Sequence, residues 1–329
     1  MNKKKKVIID CDPGIDDFLA LWFALKSPEL DVIGITIVAG NVPVEQGVKN
    51  ALKILKITNR LDIPVYAGAE KPLKKEYISA QDTHGDDGLG ESGIPDVTNG
   101  ICRQNASDFI NDTLMTDSDV TIIAIGPMTN IAVAMQKNIQ AWENCHELIS
   151  MGGAFKSFGN CSPVAEYNYW CDPDAAAYVY KHSPVLITMV GLDVTRKIVL
   201  TPNIIELVQQ ENSEVADIIR KITRFYFDFH WKQEKVIGCV INDPLTIAIL
   251  LDPTICSGFK SYVQINTDNG IGNGQSIVDE KDFYHHTANA EVLTQVDSFK
   301  FMKLFLNRVA ELDLELLDQI LPMIMMEED

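Results

Sequence analysis

Short runs of β-branched residues alternate with longer amphipathic stretches along most of the chain, and this alternation narrows the folds open to it more than any other feature. Continuous Val/Ile runs mark strands buried on both faces, while a 3.6-residue apolar period marks a helix with one covered side. On these grounds residues 7–9, 32–38, 120–125, 147–150 and 185–190 are expected as strands. The stretches 16–26, 43–55, 130–140, 173–180 and 202–210 are expected as helices between them. A further helix is expected over 218–236, where Phe225, Tyr226, Phe227, Phe229 and Trp231 form a stripe read first as core.

Strand following helix in turn implies a mostly parallel sheet flanked by helices, because parallel neighbours need a crossover. The expectation is therefore an α/β fold, a single large Rossmann-like domain over residues 1–329, with 1–5 and 323–329 as flexible tails. Polar oddities fall just after the expected strands: Asp10 and Asp12, then Gly40-Asn41, Gly126-Pro127 and Met151-Gly152-Gly153. In open α/β sheets, ligands bind beyond the carboxyl ends of the strands, so an active site is expected on that rim.

Composition removes several classes. With 28 Lys+Arg against 46 Asp+Glu the net charge is −18, a mean field that repels polyphosphate and argues against a nucleic-acid partner. The opening lysines resemble the basic start of a signal peptide, but Val7-Ile8-Ile9 runs straight into Asp10 and Asp12 and leaves no apolar region. No stretch approaches the roughly 20 apolar residues of a membrane span, so no membrane partner is expected. The seven cysteines are scattered without a Cys-x-x-Cys pair, which fits a reducing, cytoplasmic location and neither a zinc site nor a disulfide framework.

Four aspartates crowd the turn Asp10-Cys11-Asp12-Pro13-Gly14-Ile15-Asp16-Asp17, straight after a buried strand. Helix capping accounts for one or two of them; like charges at that density call for a cation. Carboxylates favour a hard ion with oxygen ligands, Ca²⁺ or Mg²⁺. A second constellation, Asn160 to Glu166-Tyr167-Asn168, offers donors and acceptors suited to a polyhydroxylated ligand. A third is Asn242-Asp243-Pro244 after the apolar Val240-Ile241.

These blocks occur together, and in order, in one known family. With Gly40-Asn41, Gly126-Pro127-Met128-Thr129-Asn130 and Met151-Gly152-Gly153 between them, the chain resembles the inosine–uridine-preferring nucleoside hydrolases from roughly residue 6 to 310. The resemblance implies hydrolysis of the N-glycosidic bond of a ribonucleoside, and a homodimer or homotetramer. It implies one Ca²⁺, held by Asp12, Asp17, the main-chain carbonyl of Ile125 and Asp243, with Asp12 also the base that activates a calcium-bound water. It assigns the ribose hydroxyls to Asp16, Asn160, Glu166 and Asn168, with Asn41 and Met151 nearby, and makes Asp10 a partner that orients the other acids.

One position departs from the family. Members that take inosine and uridine carry His before the late aspartate, implicated in protonating the leaving base; this chain has Asn242, which has no acid to offer. His84 in the loop Asp82 to Gly90, and His230, are the alternative acids. Tyr167, Tyr226 or Trp231 could instead stack on the base and raise its basicity. His285-His286 and the Met323–Met326 run are read as surface features without a role. Two other functions stay open. Asn242 leaves room for a nucleoside-binding protein with little catalysis, and Asp10-Cys11-Asp12 resembles the paired acids of a Mg²⁺-dependent phosphatase, which leaves Asp16 and Asp17 unexplained.

Overall fold

A computed structural model describes residues 3–97 and 100–325. Its strands are β1 (Lys5–Cys11), β2 (Leu30–Ile37), β3 (Val65–Ala67), β4 (Ile101–Cys102), β5 (Val120–Ala124), β6 (Cys145–Met151) and β7 (Ile187–Val190). They are followed by β8 (Val199–Leu200), β9 (Cys239–Val240), β10 (Cys256–Ser261), β11 (Val263–Ile265), β12 (Ser276–Val278) and β13 (Ala290–Val296). Nine of these form one sheet in the order β10-β13-β7-β6-β5-β1-β2-β3-β4. Only β10 runs antiparallel, paired with β13 at one edge. Helices cover both faces, so the α/β expectation with a mostly parallel sheet holds.

β1 is central because it can be buried on both sides. Val7, Ile8, Ile9 and Cys11 are all fully buried. Val7, Ile9 and Cys11 face one helical layer while Ile8 faces the other, as alternate residues of a strand must. From β1 the chain steps outward through β2, β3 and β4, then returns to β5 on the other side of β1 and steps away through β6 and β7. The direction of winding thus reverses between β1 and β5, which opens a crevice at their carboxyl ends.

The helix Ile15–Lys26 starts directly beyond that crevice. Asp17 closes its first turn by accepting the main-chain N–H groups of Gly14 (3.0 Å) and Asp12 (3.1 Å). Every residue of this helix except Lys26 is buried, against Val44–Ile57, Pro244–Leu251 and Ser298–Val309. It is a core helix on all sides.

Several boundaries differ from expectation. The helix foreseen over 130–140 ends at Lys137, because Asn138 is extended (φ −156°), and a 3₁₀ turn Ile139–Asn144 follows. The helix foreseen over 218–236 runs over Ser213–Glu234, started by the Asn212 side chain and stopped by left-handed Lys235. Ordered structure reaches into both segments expected as tails: β1 includes Lys5 and the last helix extends to Ile324. Residues 1, 2 and 326–329, including Met326 of the methionine run, lie outside the described residues. Among the described residues no helix is long and apolar enough to cross a membrane.

Candidate active site

The first turn after β1 lays an acidic floor across the crevice. Carboxylate oxygens of Asp16, Asp17 and Asp243 lie within 4.8 Å of one another, and all three residues are buried. Asp12 sits beneath, fully buried; its Oδ2 accepts the Asn41 N–H (2.6 Å), and its Oδ1 is buried without a partner. Asp17 also accepts the Asn41 amide (2.9 Å). Burial first, and neighbouring acids second, raise the carboxyls of Asp12 and Asp243 well above the usual carboxylate range and push Asp17 up to about 7. Asp10 lies deeper, in the strand itself. Thr36 (2.5 Å) and Asn130 (2.8 Å) both donate to its Oδ1, Oδ2 has no partner, and burial pushes it up to about 7.

Two glycines explain why the floor can be so crowded. A Cβ on Gly40 would stand 2.0 Å from Asp12 Oδ2, and one on Gly126 would stand 2.7 Å from Asp12 Oδ1. The loops after β2 and β5 therefore close on Asp12 only because they carry no side chain there. The Gly40 carbonyl is held by the hydroxyls of Tyr77 (2.9 Å) and Tyr167 (2.8 Å), which fixes the peptide whose N–H, from Asn41, reaches Asp12.

The wall after β6 is saturated with hydrogen bonds. Glu166 accepts main-chain N–H groups from Asn168 (2.9 Å) and Gly153 (2.9 Å), and starts the short helix Tyr167–Cys171. Burial is the largest influence on its carboxyl, which rises to about 7. The Asn168 amide donates to the carbonyls of Ile125 (3.0 Å) and Met151 (3.2 Å). A carbonyl has two lone pairs, so Ile125 keeps one acceptor site. Asn160 is exposed, with Oδ1 taking the Tyr167 N–H (2.9 Å).

The opposite wall comes from the helix Ser213–Glu234 and the short helix Gln81–His84. Tyr226 and His230, one turn apart, face a cavity that opens to solvent. His84 is buried beside them, 5.1 Å from the Tyr226 ring. Its Nδ1 accepts the Ile15 N–H (3.1 Å), so the neutral ring carries its proton on Nε2. His230 has the opposite arrangement: Nδ1 lies 3.0 Å from the Tyr226 carbonyl and must be the protonated nitrogen, leaving Nε2 an acceptor. Burial lowers both histidine pKa values.

The expected residues do not all meet here. Asp16, Asn41, Ile125, Met151, Asn160, Glu166, Tyr167, Asn168, Tyr226, His230, Asn242, Asp243 and His84 line one cavity. Of the acidic floor only Asp16 and Asp243 face the cavity directly; Asp17, Asp12 and Asp10 are buried behind them. Trp231 is a correction. It is 51% exposed, has Lys235 over its ring, and is not part of the cavity, because one helical step from His230 turns it about 100° away. Asn242 turns its amide to Asp16 Oδ2 (3.0 Å), so it serves the floor rather than the far wall.

Other residues were not singled out from sequence. Asn50 donates to the carbonyls of Pro13 (2.9 Å) and Asp87 (2.9 Å) and pins the His84 loop to the acidic turn. Tyr77, Asn130, Gln233 and Arg196 are further examples; only the Gly-Pro-Met-Thr-Asn block offered a signal, for Asn130. As a whole, the site can hold a hard cation against its floor, a polyhydroxylated group along the β6 wall, and a ring beside the histidines. The donor set fits the cation: clustered carboxylates, a free carbonyl lone pair and the orphaned Asp12 Oδ1.

Residues 7–303 match the family described as inosine-uridine preferring nucleoside hydrolase. The pyrimidine-specific ribonucleoside hydrolase RihA of Escherichia coli K12 is 36% identical over 306 residues, covering 92% of this chain and 97% of that protein. A purine-preferring ribonucleoside hydrolase from Gardnerella vaginalis superposes with a TM-score of 0.88 at 33% identity, over 93% of this chain and 98% of the other. A plant nucleoside hydrolase gives the same TM-score at 31% identity, over 93% and 99%. The chain belongs to the inosine–uridine-preferring nucleoside hydrolase family, whose members act on ribonucleosides.

Proposed function

We propose that the protein hydrolyses the N-glycosidic bond of ribonucleosides in a Ca²⁺-dependent reaction, releasing free base and ribose. The observation that carries this reading is the buried acidic floor facing a wall of ribose-sized polar groups within one cavity. Asp12, Asp17, Asp243 and the Ile125 carbonyl would hold the ion, with Asp16 close enough to share it. When bound, Ca²⁺ offsets the crowded carboxylates and lowers the pKa of a water at the site.

The protein's own groups do the rest. Asp12 takes the proton of the attacking water. Asp16, Asn160, Glu166 and Asn168 hold the ribose hydroxyls and fix the angle of attack. As the base departs, positive charge develops on the sugar, and the acidic floor stabilises it. The His84 Nε2–H is the donor best suited to the leaving base, because Nδ1 is already committed to Ile15. Asn242 supports catalysis by steadying Asp16 instead of acting as an acid. The relatives differ over purine and pyrimidine, so the test needs both kinds of nucleoside. Ribose release across such a panel, lost with a chelator, restored by Ca²⁺ and absent in Asp12→Ala, is the expected result. Tight nucleoside binding with no ribose released would favour a binding protein instead.

A further inference from the structure

The loop that carries Asn160 and Glu166 is anchored in an unusual way. Asp193 and Arg196 lie three residues apart on the turn after β7, which puts both side chains on one face. Asp193 takes the loop's amides: Oδ2 accepts from Phe155 (2.7 Å), and Oδ1 accepts from Lys156 (2.7 Å) and Ser157 (3.0 Å). Arg196 takes its oxygens, donating to the Ser157 hydroxyl (2.7 Å) and to the carbonyls of Phe158 and Gly159, the latter at 3.1 Å. One short turn therefore satisfies five successive residues of the loop.

Arg196 goes further than Asp193. Its guanidinium stands 3.7 Å from the centre of the Phe158 ring and also donates to Glu234 (2.9 Å), in the last turn of the helix that bears Tyr226 and His230. The pair is well covered, with side chains 15% and 24% exposed, so solvent weakens it little. Both partners line the cavity. A planar guanidinium can grip two carbonyls and a carboxylate at once, which an ammonium cannot.

We propose that Arg196 is a positioning residue for sugar recognition, latching the loop 155–159 to the helix Ser213–Glu234 and thereby setting where Asn160 and Glu166 stand. The proposal rests on the ribonucleoside reading above. Its test compares Arg196→Ala, Arg196→Lys and Glu234→Gln. KM is expected to rise about 10- to 100-fold in Arg196→Ala, less in the other two, with kcat falling by a smaller factor than KM rises. The factor is the same for every base, because the loop addresses the sugar. A purely structural arginine would instead lower the melting temperature and the active fraction and leave KM alone. Amide exchange of the unliganded proteins supplies a readout that needs no nucleoside. Residues 155–168 are expected to exchange faster in Arg196→Ala and Arg196→Lys, with residues 216–226 unchanged. If wild-type protein releases no ribose, exchange alone decides. Should Arg196→Ala fail to fold, Arg196→Lys carries both measurements. Unchanged KM in active variants, or unchanged exchange in this loop, overturns the proposal.

Discussion

The two walls of the cavity are built on different principles. On the side proposed for the sugar, Glu166 and Asn168 spend most of their hydrogen bonds on main-chain groups, and the Gly40–Asn41 peptide is held by the side chains of Asp12, Tyr77 and Tyr167. On the side proposed for the base, side chains from two helices meet with polar ends uncommitted: the Tyr226 hydroxyl, His84 Nε2 and His230 Nε2 have no hydrogen-bond partner among the described residues. A wall locked into the sheet can hold one ligand shape to within fractions of an ångström. A wall of free polar tips can accept different rings after few substitutions. The difference matches a family whose relatives share a ribonucleoside and differ over its base.

Substitutions can break this contrast. The largest effect is expected at the acidic turn: on the proposed mechanism Asp12→Ala should lower kcat by about 10⁴-fold or more for every nucleoside, since it would remove the proton acceptor and a cation ligand together. His84→Ala comes next, with a loss of about 10²- to 10⁴-fold in kcat that is greatest for the poorest leaving base. Equal losses for good and poor leaving groups would remove the His84 Nε2–H as the hydrogen-bond donor to the leaving base. His230→Ala should change the ratio of kcat/KM between a purine and a pyrimidine nucleoside by about tenfold, with Trp231→Ala leaving that ratio alone. A change of ratio in Trp231→Ala would return that ring to the site.

The smallest effect is in stability, and the walls oppose each other there. Burial holds His84 and His230 below the usual 6.5, so the unfolded chain binds protons first as pH falls. Their contribution is complete above about 6.5 and is lost as pH drops through the lowered values. Glu166 is raised from 4.5 to about 7, so its contribution is present at acid pH and is lost as pH rises through about 7. Thermal melts are expected to shift by a few degrees on each side. His84→Gln should flatten the acid limb and Glu166→Gln the alkaline one; a swap of those assignments would refute the account.

The sugar wall was also the more legible one. Four acids behind Val7-Ile8-Ile9 announce a buried charged turn, and the spacing of Asn160, Glu166 and Asn168 announces polar contacts, because both follow from local pattern. The base wall depends on rotation about a helix axis. Tyr226, His230 and Trp231 all came forward as members of one aromatic segment, and helix geometry turns the first two to the cavity and the third away from it. Arg196, Asn50 and Tyr77 were missed for a third reason. Asn50 and Tyr77 serve main-chain carbonyls, as Arg196 does in part, and such partners leave no mark in a sequence. The strands β3 and β4, at three and two residues, were too short to show a period, and β10 to β13 alternate too irregularly.

The winding of the sheet has a consequence for how the protein comes into being. Asp12, Asp16 and Asp17 leave the ribosome before Asn168, and Asn168 before Asp243. The central strand also waits for β5 before both its flanks are covered. A growing chain therefore carries its first acids long before it can bring the cluster together, which stays incomplete until Asp243 has been made.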